Sequence, residues 1–147
     1  MEKAENYRLV ERQLASLLEG EGDTIAKMAN VAAVLHESVG FWWTGFYRVA
    51  GEELLLGPFQ GPVACMHIPF GKVVCGTAWA RNASVVVPDV EAFPGHIACS
   101  SASRSEIVVP VHGPDGAVTA VLDIDSDELA TFDETDRVWL EKIVELL

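Results

Sequence analysis

Glu106-Ile107-Val108-Val109-Pro110-Val111-His112-Gly113-Pro114-Asp115-Gly116-Ala117-Val118-Thr119-Ala120-Val121-Leu122-Asp123-Ile124-Asp125 places two β-branched runs on either side of a turn. Pro-Asp-Gly supplies preset and permissive backbone torsions, so the stretch predicts a hairpin between strands at 106–112 and 117–125. In the second strand Asp123 and Asp125 interrupt an apolar run and, at period two, share the face opposite Leu122 and Ile124. Aspartate is depleted in strands, so an aligned pair demands a reason. Glu106 starts the preceding strand and approaches both if the hairpin pairs as expected. Three carboxylates around one pocket raise at least one pKa through repulsion and desolvation, keeping an acid protonated near neutrality. The competing reading is a solvated strand end, with Asp125-Ser126-Asp127 serving as turn chemistry.

Upstream, Tyr7, Val10, Leu14, Leu17 and Leu18 recur at helical spacing and stop at Gly20. Asp23 or Thr24 caps a second helix that carries Ile25, Met28, Ala29, Ala32 and Leu35 and runs to about Val39, before Gly40. Aromatic and β-branched residues from Phe41 to Val49, then Ala50-Gly51-Glu52 and a strand at 53–57, read as another hairpin. Trp43 and Tyr47 fall on one face of its first strand, whereas Trp42 and Phe46 are expected in the core on the other. Strands near 64–68 and 84–87, a short helix after Gly76 and a closing helix from about Asp133 complete the pattern. Thr131 with Glu134 forms a candidate capping box there, with Asp133 the competing cap. Gly71 and Gly76 read as backbone punctuation, and His36 and His112 as ordinary element or turn residues. The whole predicts one α+β domain over 1–147, an antiparallel sheet of about six strands flanked by N- and C-terminal helices. Residues 88–105 form the one long connection, a length usually functional or mobile.

Of 147 residues half are apolar, which suits one globular domain. Ten basic against 22 acidic residues give a formal charge of -12, which argues against nucleic acid and anionic membranes as partners. Neither a secretory signal nor a membrane span is apparent, so a cytoplasmic location is expected. Three cysteines, Cys65, Cys75 and Cys99, then fit redox or metal chemistry better than a structural disulfide framework. As an alternative all three are small buried hydrophobes, and Cys75, beside Val74 at a helix entry, suits that role best. A zinc site with His67 or His96 is disfavoured because tight Cys-x-x-Cys pairs are absent, so no metal is expected. Cys99 lies in the long polar loop, where a reactive side chain reaches a substrate and a partner.

The segments Gly57-Pro58-Phe59-Gln60-Gly61-Pro62-Val63-Ala64-Cys65, Pro69-Phe70-Gly71-Lys72-Val73-Val74-Cys75-Gly76-Thr77-Ala78 and Phe93-Pro94-Gly95-His96-Ile97-Ala98-Cys99-Ser100-Ser101-Ala102-Ser103, with Ser105 to Pro110 and Val121 to Ser126, closely resemble the free methionine-R-sulfoxide reductases, which are built on a GAF domain. The resemblance runs from about Trp42 to the final helix, with several motifs in the family's order and spacing. It implies a thioredoxin-dependent oxidoreductase that reduces free L-methionine-(R)-sulfoxide in the defence against oxidative stress. Cys99 is implied as nucleophile and Cys65 as the resolving thiol that closes a redox disulfide with it, with Cys75 an alternative or additional thiol. Glu106, Asp123 and Asp125 are implied as catalytic and substrate-binding groups, and Trp43 and Tyr47 as an aromatic wall around the substrate methyl group. No metal or organic cofactor is implied, only an external thiol reductant, thioredoxin with NADPH-driven recycling, and a homodimer is expected. Backbone amides of residues 98–103 are candidate ligand contacts, and His96 is a candidate either for lowering the Cys99 pKa or for a loop-shaping or solvent-exposed role. Met66-His67 and Arg104 depart from the family's pattern, and Arg104 is expected to pair with the acidic cluster or lower its pKa values. Because folds do not dictate function, the rivals are a GAF-type small-molecule sensor or binding module without catalysis, and a scaffold that dimerises through its terminal helices.

Overall fold

A computed structural model describes residues 2–95 and 102–147. Two helices, α1 (Lys3–Leu18) and α2 (Thr24–Val34), come first, and a π-helical turn, Leu35–Val39, extends α2 to Gly40. Gly40 takes the left-handed conformation that ends this run, at φ 86°. Asp23 caps α2 through the amide of Ala26. Six strands follow: β1 (Trp43–Ala50), β2 (Glu53–Gln60), β3 (His67–Pro69), β4 (Val85–Val87), β5 (Ser105–His112) and β6 (Val118–Ser126). Helix α3 (Val73–Arg81) lies between β3 and β4, a 3-10 turn (Val90–Ala92) follows β4, and α4 (Glu134–Val144) closes the chain. Among the described residues no helix is long and apolar enough to cross a membrane.

The strands form one antiparallel sheet in the order β3-β2-β1-β6-β5-β4. Both faces are covered, which is why β5 reads Ile-Val-Val-Pro-Val with little alternation. On one face Tyr7, Val10 and Leu14 of α1, Met28 and Val31 of α2 and Leu140 and Ile143 of α4 pack on Phe46, Ile107, Val109, Leu122 and Ile124. This is the larger core. On the other, Val74, Cys75 and Ala78 of α3 pack with Trp43, Tyr47, Leu54, Val108 and Val121. The expected six-stranded α+β architecture is therefore present, with the terminal helices together on one face and α3 left to build the other.

Two local expectations need correction, and one open alternative is decided. Helix α3 begins at Val73, not after Gly76, so Gly76 lies inside it. A Cβ at Gly76 would stand 2.5 Å from the carbonyl oxygen of Pro69, so glycine is there to let the helix close on its preceding turn. The third strand starts at His67, leaving Ala64 and Cys65 in the preceding connection. At α4 the competing cap prevails: Asp133 accepts from the amides of Thr135 and Asp136, and Asp136 accepts back from the amide of Asp133. Thr131 is unavailable because its hydroxyl meets that of Ser126 at 2.6 Å and its amide donates to Ser105 Oγ. Buried Asp136 also accepts from Tyr7 Oη at 2.5 Å and pairs with Lys3 at 2.7 Å, tying the two terminal helices. The long connection is closed at its base, where the amide of Val90 donates to the carbonyl of Arg104 at 2.9 Å.

Candidate functional site

The face of the sheet beneath α3 carries the chemistry. In register, Asp125 lies between Trp43 of β1 and Glu106 of β5, while Asp123 lies between Gly45 and Val108. The hairpin thus pairs as the sequence predicts, and all three carboxylates point to one face. With Trp43, Tyr47, Cys75 and Ser103 they line a single cavity, completed by Trp42, Val63, Ala64, Ile68, Val73 and Val74.

Trp43 and Tyr47 stack with ring centroids 6.2 Å apart, and Phe59 also stacks on Trp43 at 5.3 Å. Their polar ends hold the connection over the cavity. Trp43 Nε1 donates to the carbonyl of Pro62 at 2.9 Å, and Tyr47 Oη donates to that of Cys65 at 2.8 Å. Buried aromatics with a polar handle find such partners, and here the partners fix where Val63, Ala64 and Cys65 lie. Gly45 lies between the two rings in the strand. A Cβ there would stand 2.4 Å from Phe59 Cβ and 2.6 Å from the Trp43 ring. Gly45→Ala is accordingly expected to lower unfolding free energy by about 1–3 kcal/mol through overpacking. A urea midpoint equal to that of the parent protein would contradict this packing.

Burial dominates the electrostatics. Glu106 and Asp123 are 7% and 5% exposed, so neither can shed charge into water. Burial first, then the charges of Asp123 and Asp125, push Glu106 well above the usual carboxylate range. Asp125 is pushed up well above it by burial and by Asp123, although Ser103 Oγ, donating at 3.1 Å, favours its charged form. Asp123 is raised by burial, opposed by hydrogen bonds from Glu106, Cys75 and Asp125. Of its two oxygens, Oδ1 is buried and, among the described residues, has no hydrogen-bond partner. An orphaned carboxylate oxygen in a cavity is costly unless a ligand donates to it.

Cys75 Sγ approaches Glu106 Oε2 at 4.0 Å from the first turns of α3. Burial, then Asp123, Glu106 and Asp125, raise its thiol well above the ordinary value. It is a free thiol, 2% exposed, and lines the cavity. Val73, two residues before it, has left-handed backbone at φ 49°, a strained conformation for a β-branched residue, where the chain turns from Lys72 into the helix beside the cavity. Cys65 is half-buried and disulfide-bonded. Cys99, His96 and most of the 98–103 amides lie outside the described residues.

Arg104 does not perform the role expected of it. Among the described residues its side chain forms no ion pair, and it does not contribute to the shifts of the three acids; its backbone instead bonds Ser126 and Val90. His67 is exposed and pairs with Glu53 at 3.0 Å, away from the cavity lining. Trp42 also departs from expectation: only Phe46 enters the larger core, and Trp42 lines the cavity. It precedes the first residue of β1, so strand alternation does not govern it. Val63 and Ser103 were equally hidden, being loop residues with no periodicity to read.

A family model described as a GAF domain matches residues 21–147. GAF domain-containing protein A of Dictyostelium discoideum is 53% identical over 146 residues, which cover 99% of this chain and 92% of that protein. The free methionine-R-sulfoxide reductase of Escherichia coli is 43% identical over 145 residues, 98% of this chain and 87% of that protein. The X-ray structure of free methionine-R-sulfoxide reductase from Neisseria meningitidis in complex with its substrate superposes with a TM-score of 0.96 at 53% identity, covering 99% of this chain and 88% of that one.

Proposed function

Since this chain belongs to the GAF-domain family of free methionine-R-sulfoxide reductases, we propose that it reduces free L-methionine-(R)-sulfoxide to methionine in the cavity between the sheet and α3. The observation that carries the reading is the buried set Glu106, Asp123 and Asp125 beneath an aromatic wall of Trp43 and Tyr47. An S-methyl group suits that wall, a protonated carboxyl suits the sulfoxide oxygen, and an ionised one suits the ammonium group of a free amino acid. The unpartnered Oδ1 of Asp123 is the acceptor best suited to the ammonium.

In the proposed cycle the Cys99 thiolate attacks the sulfoxide sulfur while Glu106 or Asp125, held protonated, supplies a proton to the oxygen. The sulfur–oxygen bond breaks, methionine leaves, and the oxygen stays on Cys99 as a sulfenic acid. Cys65 then attacks that sulfur, water departs, and a Cys65–Cys99 disulfide forms. A dithiol protein of the thioredoxin type, itself kept reduced with NADPH, restores both thiols by supplying two electrons and two protons. The disulfide-bonded state of Cys65 and the free state of Cys75 support this division of labour. A thiol raised as Cys75 is makes a poor nucleophile at neutral pH. The cycle requires no metal or organic cofactor and suits the reducing cytoplasm. Exposed Leu9 and Leu17 of α1 and Ile25 of α2 support a homodimer through the terminal helices.

The test is reductant consumption with the separate epimers. Turnover with free R-sulfoxide and at least a hundredfold less with the S epimer is the expected result. No turnover of either by fully reduced protein would replace this reading with that of a GAF-type sensor.

A further inference from the structure

Beyond the proposed reaction, the cavity holds a donor set that the reaction does not use as a unit. Cys75 Sγ and carboxylate oxygens of Glu106 and Asp123 all lie within 4.8 Å of one another, and all three residues are buried. Sulfur and oxygen ligands on one tetrahedral zinc ion stand about 3.5 Å apart. The 4.0 Å between Cys75 Sγ and Glu106 Oε2 therefore needs only a slight contraction. Acidic groups near a cysteine do not by themselves make a site. The second observation is Asp123 Oδ1, which is buried and, among the described residues, unpartnered, on a residue that lines the cavity.

We propose that Cys75, Glu106 and Asp123 form a capture site for a thiophilic divalent cation of the zinc or cadmium class, which blocks the substrate pocket when bound. A soft thiolate selects such ions over magnesium or calcium, and two carboxylates complete the charge. The ion replaces the thiol proton and any carboxyl proton, which leave to solvent, so a doubly positive centre offsets up to three negative ligands that otherwise repel one another. Three protein ligands leave the fourth position open toward the cavity. The ion and the amino acid would then compete for Asp123. Blocking of substrate rests on the proposed function; binding of the ion does not.

The experiment uses the full chain carrying Cys65→Ser and Cys99→Ser, so that Cys75 is the sole thiol, titrated with cadmium chloride without oxygen. A thiolate-to-cadmium charge-transfer band saturating at one equivalent is expected. Adding Cys75→Ser should abolish it, while Asp123→Asn and Glu106→Gln, added separately, should each weaken binding at least about tenfold. Circular dichroism confirms that each variant is folded, and the near-isosteric amides guard against a folding failure at any one position. Absence of the band, or a band that neither amide variant weakens, overturns the site. Free methionine should displace the ion; a band that forms but resists methionine keeps the ion site and removes the substrate assignment of this pocket.

Discussion

On the proposed mechanism, Cys99→Ser is expected to lower turnover of free methionine-R-sulfoxide by at least about a thousandfold, because a serine hydroxyl is not ionised at neutral pH and does not accept the sulfoxide oxygen as a thiolate does. The loss should fall in kcat. Methionine binding, read by calorimetry, should change less than twofold, since the cavity lined by Trp43, Tyr47 and the acids keeps its side chains. Cys65→Ser should behave differently. Its first turnover survives, releasing about one methionine per site, and thioredoxin-supported cycling then stalls at the sulfenic acid. More than a tenth of parental turnover in the Cys99 variant would remove this residue from the role of nucleophile. A full rate in the Cys65 variant with thioredoxin would remove that residue from the resolving step.

Glu106→Gln should make the protein more stable at alkaline pH and less active. The folded-state pKa values of Glu106 and Asp125 lie well above the ordinary carboxylate range and that of Asp123 is raised, each with burial as the leading cause. In the unfolded chain these groups ionise at about pH 4. Between that pH and their raised folded values the native state binds more protons than the unfolded state. Their contribution to stability is thus complete below about pH 4 and is lost as pH rises through the folded values. Glutamine keeps the shape and cannot ionise. Urea unfolding should show a shallower fall in stability between pH 5 and 8 for the variant, with a gain of roughly 1–2 kcal/mol at pH 8. If Glu106 is the proton donor, kcat falls about a hundredfold or more. Equal pH slopes for parent and variant would show that Glu106 is not a buried acid of raised pKa. Stability given up to crowd three acids together is the trade-off expected of a functional pocket.

The aspartate pair was legible because period-two geometry is local. Period two alone makes Asp123 and Asp125 share a face, whereas Glu106 comes beside Asp125 because the ladder shifts register by one residue between Val111 and His112, a bulge that the turn residues 113–116 do not encode. The same alternation correctly assigned Trp43 and Tyr47 to this face and Phe46 to the opposite one. It failed for Trp42, which sits before the strand, and at Gly76, where a glycine that reads as a breaker instead permits close approach to Pro69. The α4 cap shows the same limit. Two cap candidates were visible, and remote partners, Ser105 and Ser126, decided between them.

Strand order within each hairpin, the apolar stripes of α1 and α2 and the alignment of Asp123 with Asp125 are thus written in residues a few positions apart, where covalent geometry leaves little choice. Where the 61–66 connection crosses the cavity, how α3 brings a buried Cys75 against Glu106, and which acid oxygen is left without a partner depend on contacts between distant segments. Trp43 reaches Pro62 and Tyr47 reaches Cys65 across 19 and 18 residues of chain. No local period encodes such bonds. Burial, which raises the acids and the thiol, likewise exists only once α3 and that connection have closed over the sheet.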